Sequence, residues 1–175
     1  MQKANVILDR HYLYPGKVFS SRKPYIIDTI LGSCVAVFLW DSVLQFGSVN
    51  HFMLPFGSKE NISFKYGDIA TTEIISRMII LGSDKKNIKA KIFGGSDITH
   101  TNGVFSIGKR NVALARDILK AEGIPIISYS IGGSLGRKVI FNTASGVVLI
   151  SFTGRDAISV DQQISSNNIN LHEDE

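Results

Sequence analysis

The spacing of apolar residues predicts a chain in which strands alternate with helices. Apolar side chains fill residues 35–40 without a polar interruption, a pattern typical of a strand that is covered on both faces. Residues 25–29 and 46–51 are predicted as further strands on either side, and Gly32 permits a sharp bend before the apolar run. We therefore expect residues 35–40 to form a central strand and not the edge of an open sheet.

Two segments carry apolar residues at helical spacing. Residues 68–81 predict a helix that Gly82 ends, and residues 108–122 predict a second helix that Ser106 caps and Gly123 ends. Shorter β-rich segments account for most of the remaining apolar residues: 88–92, 124–128, 138–141 and 147–152. This order predicts an α+β layered fold, in which a mixed or antiparallel sheet is covered by the two main helices.

The chain has material for one domain. Its 175 residues are 44% hydrophobic, enough to bury a core without a disulfide or a metal. We expect residues 1–155 to form this single domain, because the apolar pattern is lost beyond them. Residues 156–175 are predicted to be a polar, mobile C-terminal tail.

Charge and hydropathy narrow the range of partners and locations. The last three residues are acidic, so residues 1–172 carry 19 basic against 12 acidic side chains, a net charge of +7. A basic surface favours acidic partners, but the absence of a dense basic run or an aromatic-basic stripe argues against nucleic acid. No apolar stretch approaches the roughly 20 residues of a membrane span, and residues 1–16 lack the apolar region of a signal peptide. We expect a cytoplasmic protein without membrane insertion.

Cys34 is the single cysteine, so an internal disulfide is excluded. Such a residue in an apolar strand is ordinarily a small buried hydrophobic side chain, and a lone histidine such as His51 is ordinarily a satisfied core residue. A hairpin centred between Ser42 and Val43 would, however, place Cys34 directly opposite His51 on one face of the sheet. A thiol beside an imidazolium has a lowered pKa, and such a pair suits nucleophilic acyl transfer.

A third group normally orients the histidine in sites of this kind. Asp28 and Thr29 are the candidates, since both immediately precede the bend. Thr29 would offer a hydrogen bond, whereas Asp28 would also stabilise the imidazolium by charge. Spacing does not choose between the two residues.

Other polar and glycine-rich segments do not match the patterns of phosphate-binding or metal-binding sites well. Residues 132–137 lack the Gly-Lys-Ser/Thr ending of a phosphate-binding loop, and Asp97 with His100 is a weak metal-binding pattern. Glycine pairs at residues 94–95 and 132–133 suit plain turns, with a substrate-contacting wall as the alternative. We expect no metal and no cofactor.

Several motifs together resemble one known family. Residues 31–37 (LGSCVAV) and 50–55 (NHFMLP) resemble the nucleophile and histidine motifs of the chemoreceptor glutamine deamidase family CheD. Later motifs of that family are matched in the same order at residues 66–68 (YGD), 93–95 (FGG), 107–112 (IGKRNV) and 132–137 (GGSLGR). The resemblance covers residues 10–152.

The resemblance implies a layered fold similar to bacterial toxin deamidases and a Cys-His-Thr site that acts on glutamine side chains of chemotaxis receptors. Cys34 matches the family nucleophile, His51 matches the general base, and Thr29 matches the third member better than Asp28 does. Ser130 departs from the family pattern, in which an acidic residue often precedes the Gly-Gly pair.

The resemblance also implies an alternative function. Members of the family bind a CheC-type phosphatase, so the chain could serve as a non-catalytic chemotaxis adaptor. The presence of both Cys34 and His51 favours the enzyme, because binding alone requires neither a thiol nor a base. Lys109, Arg110 and Arg116 are expected to form a solvated helix face, with receptor contact as the alternative.

Overall fold

The protein consists of three layers. The computed structural model describes residues 8–58, 60, 62–97, 106–153 and 162–163, and within these residues ten strands form two five-stranded sheets and two α-helices cover one sheet. The α+β fold predicted from the sequence is confirmed. The structure places the helices on one sheet only, and the other sheet covers the opposite face of that same sheet.

The strand order is different in the two sheets. The first sheet runs in the order β1 (Asp9–Tyr12), β3 (Tyr25–Leu31), β8 (Gly136–Asn142), β9 (Val148–Thr153) and β10 (Gln162–Gln163). The second sheet runs in the order β2 (Lys17–Ser21), β5 (Phe46–His51), β4 (Val35–Asp41), β6 (Ile88–Gly94) and β7 (Ile126–Ile131). All neighbouring strands are antiparallel except the pairs β1–β3 and β6–β7.

Strand β4 lies at the centre of the second sheet and is covered on both faces, as its apolar pattern predicts. Val35, Val37 and Leu39 pack in the core beneath the helices, whereas Ala36 and Phe38 pack against the first sheet. Side chains alternate between the faces of a strand, so this one segment joins both cores.

The helices are α1 (Gly67–Ile80) and α2 (Ile107–Ala121), close to the predicted bounds. Ser106 precedes α2 as predicted, but its side chain makes no capping hydrogen bond. Strands β1 and β2 were absent from the sequence prediction. All four residues of β1 are exposed, and β2 pairs only with β5 at the edge of its sheet, so neither has a strong apolar pattern.

The register predicted for the β4–β5 hairpin is wrong by two residues. Asp41 pairs with Phe46, which leaves a four-residue loop at positions 42–45. The Asp41 carboxylate accepts hydrogen bonds from the backbone N–H groups of Val43 and Leu44, each at 2.8 Å. Gln45 completes the turn with a φ of 53°.

This register changes the residue that faces His51. Val35 bridges to Phe52, so His51 lies opposite Ala36 and not opposite Cys34. Because the shift is an even number of residues, it preserves the face on which each side chain lies. Cys34 and His51 become diagonal neighbours instead of a direct pair.

Part of the predicted C-terminal tail joins the fold. Gln162 and Gln163 pair in antiparallel register with Ile150 and Leu149 of β9. The other residues of the predicted tail lie outside the described part of the chain. Among the described residues, no helix is long and apolar enough to cross a membrane.

The lack of a side chain at Gly108 permits the close approach of α2 to the end of β6, and a substitution at this position tests that approach. A Cβ atom at this position would lie 2.4 Å from the carbonyl oxygen of Gly95. Replacing glycine by alanine in a free helix is favourable by about 1 kcal/mol, whereas overpacking costs roughly 1–3 kcal/mol. We therefore expect Gly108→Ala to lower the urea midpoint of unfolding. An unchanged or higher midpoint would show that α2 is free to move away from β6.

Candidate active site

Thr29 and His51 meet between the two sheets. Thr29 lies in the middle of β3 and His51 at the end of β5, and both side chains are almost completely buried. The Thr29 hydroxyl oxygen is 2.8 Å from His51 Nδ1 and 2.8 Å from the carbonyl oxygen of Leu13. The structure thus brings together two of the predicted site residues from different sheets.

Asp28 faces away from this contact. Its carboxylate accepts hydrogen bonds from the Arg10 guanidinium, the shortest at 2.7 Å. Consecutive residues of a strand point to opposite faces, so Asp28 and Thr29 cannot both reach the imidazole. Thr29 is the residue that contacts His51.

The hydrogen bonds of Thr29 fix the tautomer of His51. The Leu13 carbonyl only accepts, so the single hydroxyl proton of Thr29 is donated to it. Thr29 Oγ1 must then accept a proton from His51 Nδ1. In the neutral ring this leaves Nε2 as an unprotonated acceptor. Nε2 is buried and meets no hydrogen-bond partner among the described residues.

Cys34 lies just before β4 in the bend that follows β3. Its side chain is partly buried and packs against the core between the sheets, the same layer that holds His51 and Thr29. Cys34 and Ala36 are two positions apart, and Ala36 lies opposite His51 in the extended register. Diagonal neighbours of this kind are about 7–8 Å apart in a regular sheet, within reach of a long side chain.

Burial sets the resting charge of both groups. It lowers the pKa of His51 to about 4, so the ring is neutral at pH 7. Burial also raises the pKa of the Cys34 thiol, with a smaller opposing effect from the residue's own backbone N–H. Both shifts favour a resting thiol and a neutral imidazole over the imidazolium and preformed thiolate expected from the sequence.

Asn111 is a site residue that the sequence analysis did not single out. Its side-chain Nδ2 donates to the carbonyl oxygens of Ser33 at 3.2 Å and Met53 at 2.9 Å. Ser33 directly precedes Cys34, and Met53 follows His51 by two residues. The buried amide therefore ties α2 to both segments of the site. Its place in the IGKRNV motif was the available signal, but only the fold shows what it binds.

The glycine-rich motifs form a scaffold next to Cys34. Gly95 donates its N–H to the Cys34 carbonyl oxygen at 2.8 Å. Gly94 has a φ of 107°, and a Cβ atom there would lie 2.2 Å from the same carbonyl oxygen. Gly94 is therefore required by the close approach of β6 to the bend that carries Cys34, whereas a Cβ atom at Gly95 would lie 2.6 Å from Val112 Cγ2 of α2.

Arg137 joins the second glycine motif to this scaffold. The guanidinium is buried and donates to Ser96 Oγ at 2.7 Å, to the Gly132 carbonyl at 2.6 Å and to Ser130 Oγ at 2.9 Å. The residue that departs from the family pattern, Ser130, is thus a hydrogen-bond acceptor for Arg137.

The weak metal-binding pattern remains untested. His100 lies outside the described residues, and the described residues contain no group of three or more potential ligands from His, Cys, Asp and Glu.

Comparison with known proteins assigns the chain to a family. The family model described as CheD chemotactic sensory transduction matches residues 53–152. The chain belongs to the CheD family. The matched range begins after Thr29, Cys34 and His51, so the family match itself does not bear on those three residues.

Curated relatives extend the similarity over most of the chain. A protein of Trichlorobacter lovleyi is 39% identical over 81% of this chain and 89% of its own length. Proteins of Sulfurimonas denitrificans and Rhodospirillum rubrum are 34% and 37% identical, over 82% and 88% of this chain and 94% and 88% of their own lengths. Each of these three is named a probable chemoreceptor glutamine deamidase CheD.

Similarity to solved structures is lower. The Bacillus licheniformis hypothetical protein YfiH superimposes with a TM-score of 0.44 at 15% identity, over 63% of this chain and 50% of its own.

Acidification should destabilise the protein through His51. The folded pKa of about 4 lies below the ordinary value of 6.5, so the unfolded chain binds the proton more readily. The contribution of this group is fully present above pH 6.5 and is lost as the pH falls toward 4. We expect the free energy of unfolding, measured with urea, to fall by on the order of 2 kcal/mol more between pH 7.5 and 5.0 in the wild type than in His51→Gln. Equal losses in both proteins would contradict the assignment.

Asn111→Ala should loosen the bend that carries Cys34. The substitution leaves two carbonyl oxygens unpaired, which costs roughly 1–3 kcal/mol of stability. It should also speed alkylation of Cys34 by iodoacetamide, because the bend is no longer tied to α2. Asn142→Ala is the matched control, since its side chain accepts from Ala144 and Ser145 in a remote turn. A similar increase in alkylation in this control would mean that general destabilisation is the cause.

Proposed function

We propose that this protein hydrolyses the side-chain amide of glutamine residues in the cytoplasmic segments of chemoreceptors. In this proposal Cys34 is the nucleophile, His51 is the general base and acid, and Thr29 is a positioning residue. One observation carries it: a buried His51, bound through Nδ1 to Thr29, keeps an unpartnered Nε2 in the layer that Cys34 borders. The names of the three relatives support the substrate and the reaction.

The first step forms a thioester. As Cys34 Sγ attacks the carboxamide carbon, its proton passes to His51 Nε2, which suits a resting state of neutral thiol and neutral imidazole. The resulting imidazolium returns the proton to the amide nitrogen. The C–N bond then breaks, ammonia leaves, and an acyl group remains on sulfur.

The second step restores the enzyme. Water attacks the thioester carbon and gives a proton to Nε2. The C–S bond breaks, the sulfur recovers the proton from Nε2, and the product side chain is glutamate. In both steps Nδ1–H keeps its hydrogen bond to Thr29, so protonation at Nε2 requires no rearrangement of the ring.

Backbone groups near Cys34 suit the stabilisation of the negative oxygen that forms in each step. The N–H of Cys34 lowers the thiol pKa of its own residue, and in this proposal it donates to that negative oxygen. Asn111 and Gly95 hold the carbonyl groups on either side of this N–H. A fixed donor of this kind is worth about 3 kcal/mol of barrier.

The adaptor remains the second candidate function, with a CheC-type phosphatase as its partner. Nothing in an adaptor requires a buried His51 with an oriented tautomer beside a cysteine. Burying such a ring costs free energy, which favours the enzyme. The following comparison separates the two functions.

Deamidation should depend on the three site residues in a graded manner. We expect Cys34→Ala and His51→Ala to abolish turnover, because one lacks the nucleophile and the other the base. Thr29→Val removes only the hydroxyl, so kcat should fall by up to about a hundredfold through misorientation of the ring. The measurement is mass spectrometry of receptor cytoplasmic segments, in which Gln to Glu adds roughly one dalton.

Asp28→Asn is the neighbouring control, since it alters the residue that pairs with Arg10 on the other face. We expect nearly wild-type turnover from it. Turnover by Cys34→Ala would eliminate the cysteine mechanism. No deamidation by the wild type, together with retained binding of a CheC-type phosphatase, would favour the adaptor.

A further inference from the structure

A groove lies between α2 and the ends of β6 and β7. It has a volume of about 220 Å³ and an apolar floor that includes Val112 and Ile131. Lys109 and Arg116 of α2 line one side, and Gly95 and Gly132 line the other. No acidic residue is among its described lining residues.

Neither cation of the groove has a carboxylate partner in the part of the chain that the structure describes. In that same part, five other basic residues form ion pairs with carboxylates: Arg10, Lys23, Arg77, Lys85 and Lys86. Lys109 and Arg116 form no ion pair within the described residues. Arg116 instead lies over the Tyr129 ring, 5.3 Å from its centroid, which supports the guanidinium while leaving its N–H donors available.

The spacing of the cations matches a helical partner. Lys109 and Arg116 are seven positions apart, two turns of α2, so they lie on the same side of the helix about 10 Å apart. Carboxylates at the same spacing on a second helix would meet both cations. The apolar floor between them would accept a short aliphatic side chain of that helix.

The groove begins beside the nucleophile bend. Gly95 lines it and also donates to the Cys34 carbonyl. Gly132 has open space where a Cβ atom would be, and its N–H bonds the Gly94 carbonyl at 3.0 Å. A segment lying in the groove would therefore pass close to the backbone of Cys34, at the end of the sheet.

From these observations we propose that the groove is the docking surface for an acidic helical segment of the substrate, which binds Lys109 and Arg116 and presents its glutamine to Cys34. This inference rests on the proposed function for the identity of the substrate. Charge complementarity identifies the occupant, since an apolar floor between two unpaired cations fits an acidic amphipathic helix and not a neutral one.

The test measures binding without turnover. Cytoplasmic segments of a methyl-accepting chemoreceptor are titrated onto the Cys34→Ala protein at physiological salt, with and without the double substitution Lys109→Glu and Arg116→Glu. We expect the double substitution to weaken binding by about tenfold or more, because two attractive contacts become repulsive. The loss should largely disappear for a segment whose acidic residues near the target glutamine are replaced by alanine.

A matched control separates the groove from long-range attraction. Lys23→Glu with Lys138→Glu makes the same change in net charge, and neither residue lies on α2 or lines the groove. We expect less than about a twofold loss of affinity from this pair, since distant exposed charges are screened. Equal losses in the two double variants would overturn the proposal in favour of diffuse steering. Unchanged binding in the groove variant would also overturn it.

The docking proposal and the proposed activity fail in different ways. Specific binding at the groove with no deamidation by the wild type would remove the activity and leave the docking surface. Deamidation that depends on Cys34, with wild-type kcat/KM in the groove variant, would retain the activity and remove the docking surface.

Discussion

The hydrogen bond between Thr29 and His51 is the interaction on which the site depends. It joins β3 of one sheet to β5 of the other, and it selects the ring tautomer because Thr29 has already given its proton to the Leu13 carbonyl. A hydroxyl with a free proton would bind either tautomer equally well. The backbone of Leu13 therefore determines, through Thr29, which nitrogen of His51 is left unprotonated in the neutral ring.

Thr29 and the burial of His51 together determine what kind of base the ring is. A carboxylate in place of the Thr29 hydroxyl would stabilise an imidazolium and raise the pKa of His51. The neutral hydroxyl does not offset the lowering of this pKa by burial. In the proposed mechanism the proton therefore moves during attack on the substrate and not before it. Burial favours the protonated thiol of Cys34, which is less reactive toward oxidation and alkylation than a thiolate.

The elements of the fold were largely predictable, and the pairing of the site residues was only partly so. Helices and buried strands follow from local periodicity, but the β4–β5 register is set by the Asp41 carboxylate and by Gln45 in a left-handed conformation. The alternation of side chains along β3 does not show which face is buried, because apolar residues occur on both faces of that strand. The sequence of β3 therefore does not identify Thr29 as the residue that faces His51. Facing another sheet is a tertiary property, and a single sequence does not encode it in its spacing.

The site is assembled from segments that are distant in sequence, which explains why its motifs are glycines and hydrogen-bonding side chains as well as reacting groups. Gly94 allows β6 to touch the bend of Cys34, Gly95 donates its N–H to the Cys34 carbonyl, and Asn111 fixes the carbonyl group on the other side. Each of these contacts constrains backbone and not the sulfur itself. The proposed mechanism requires fixed backbone N–H groups of this kind around Cys34, because they would stabilise a transient negative charge.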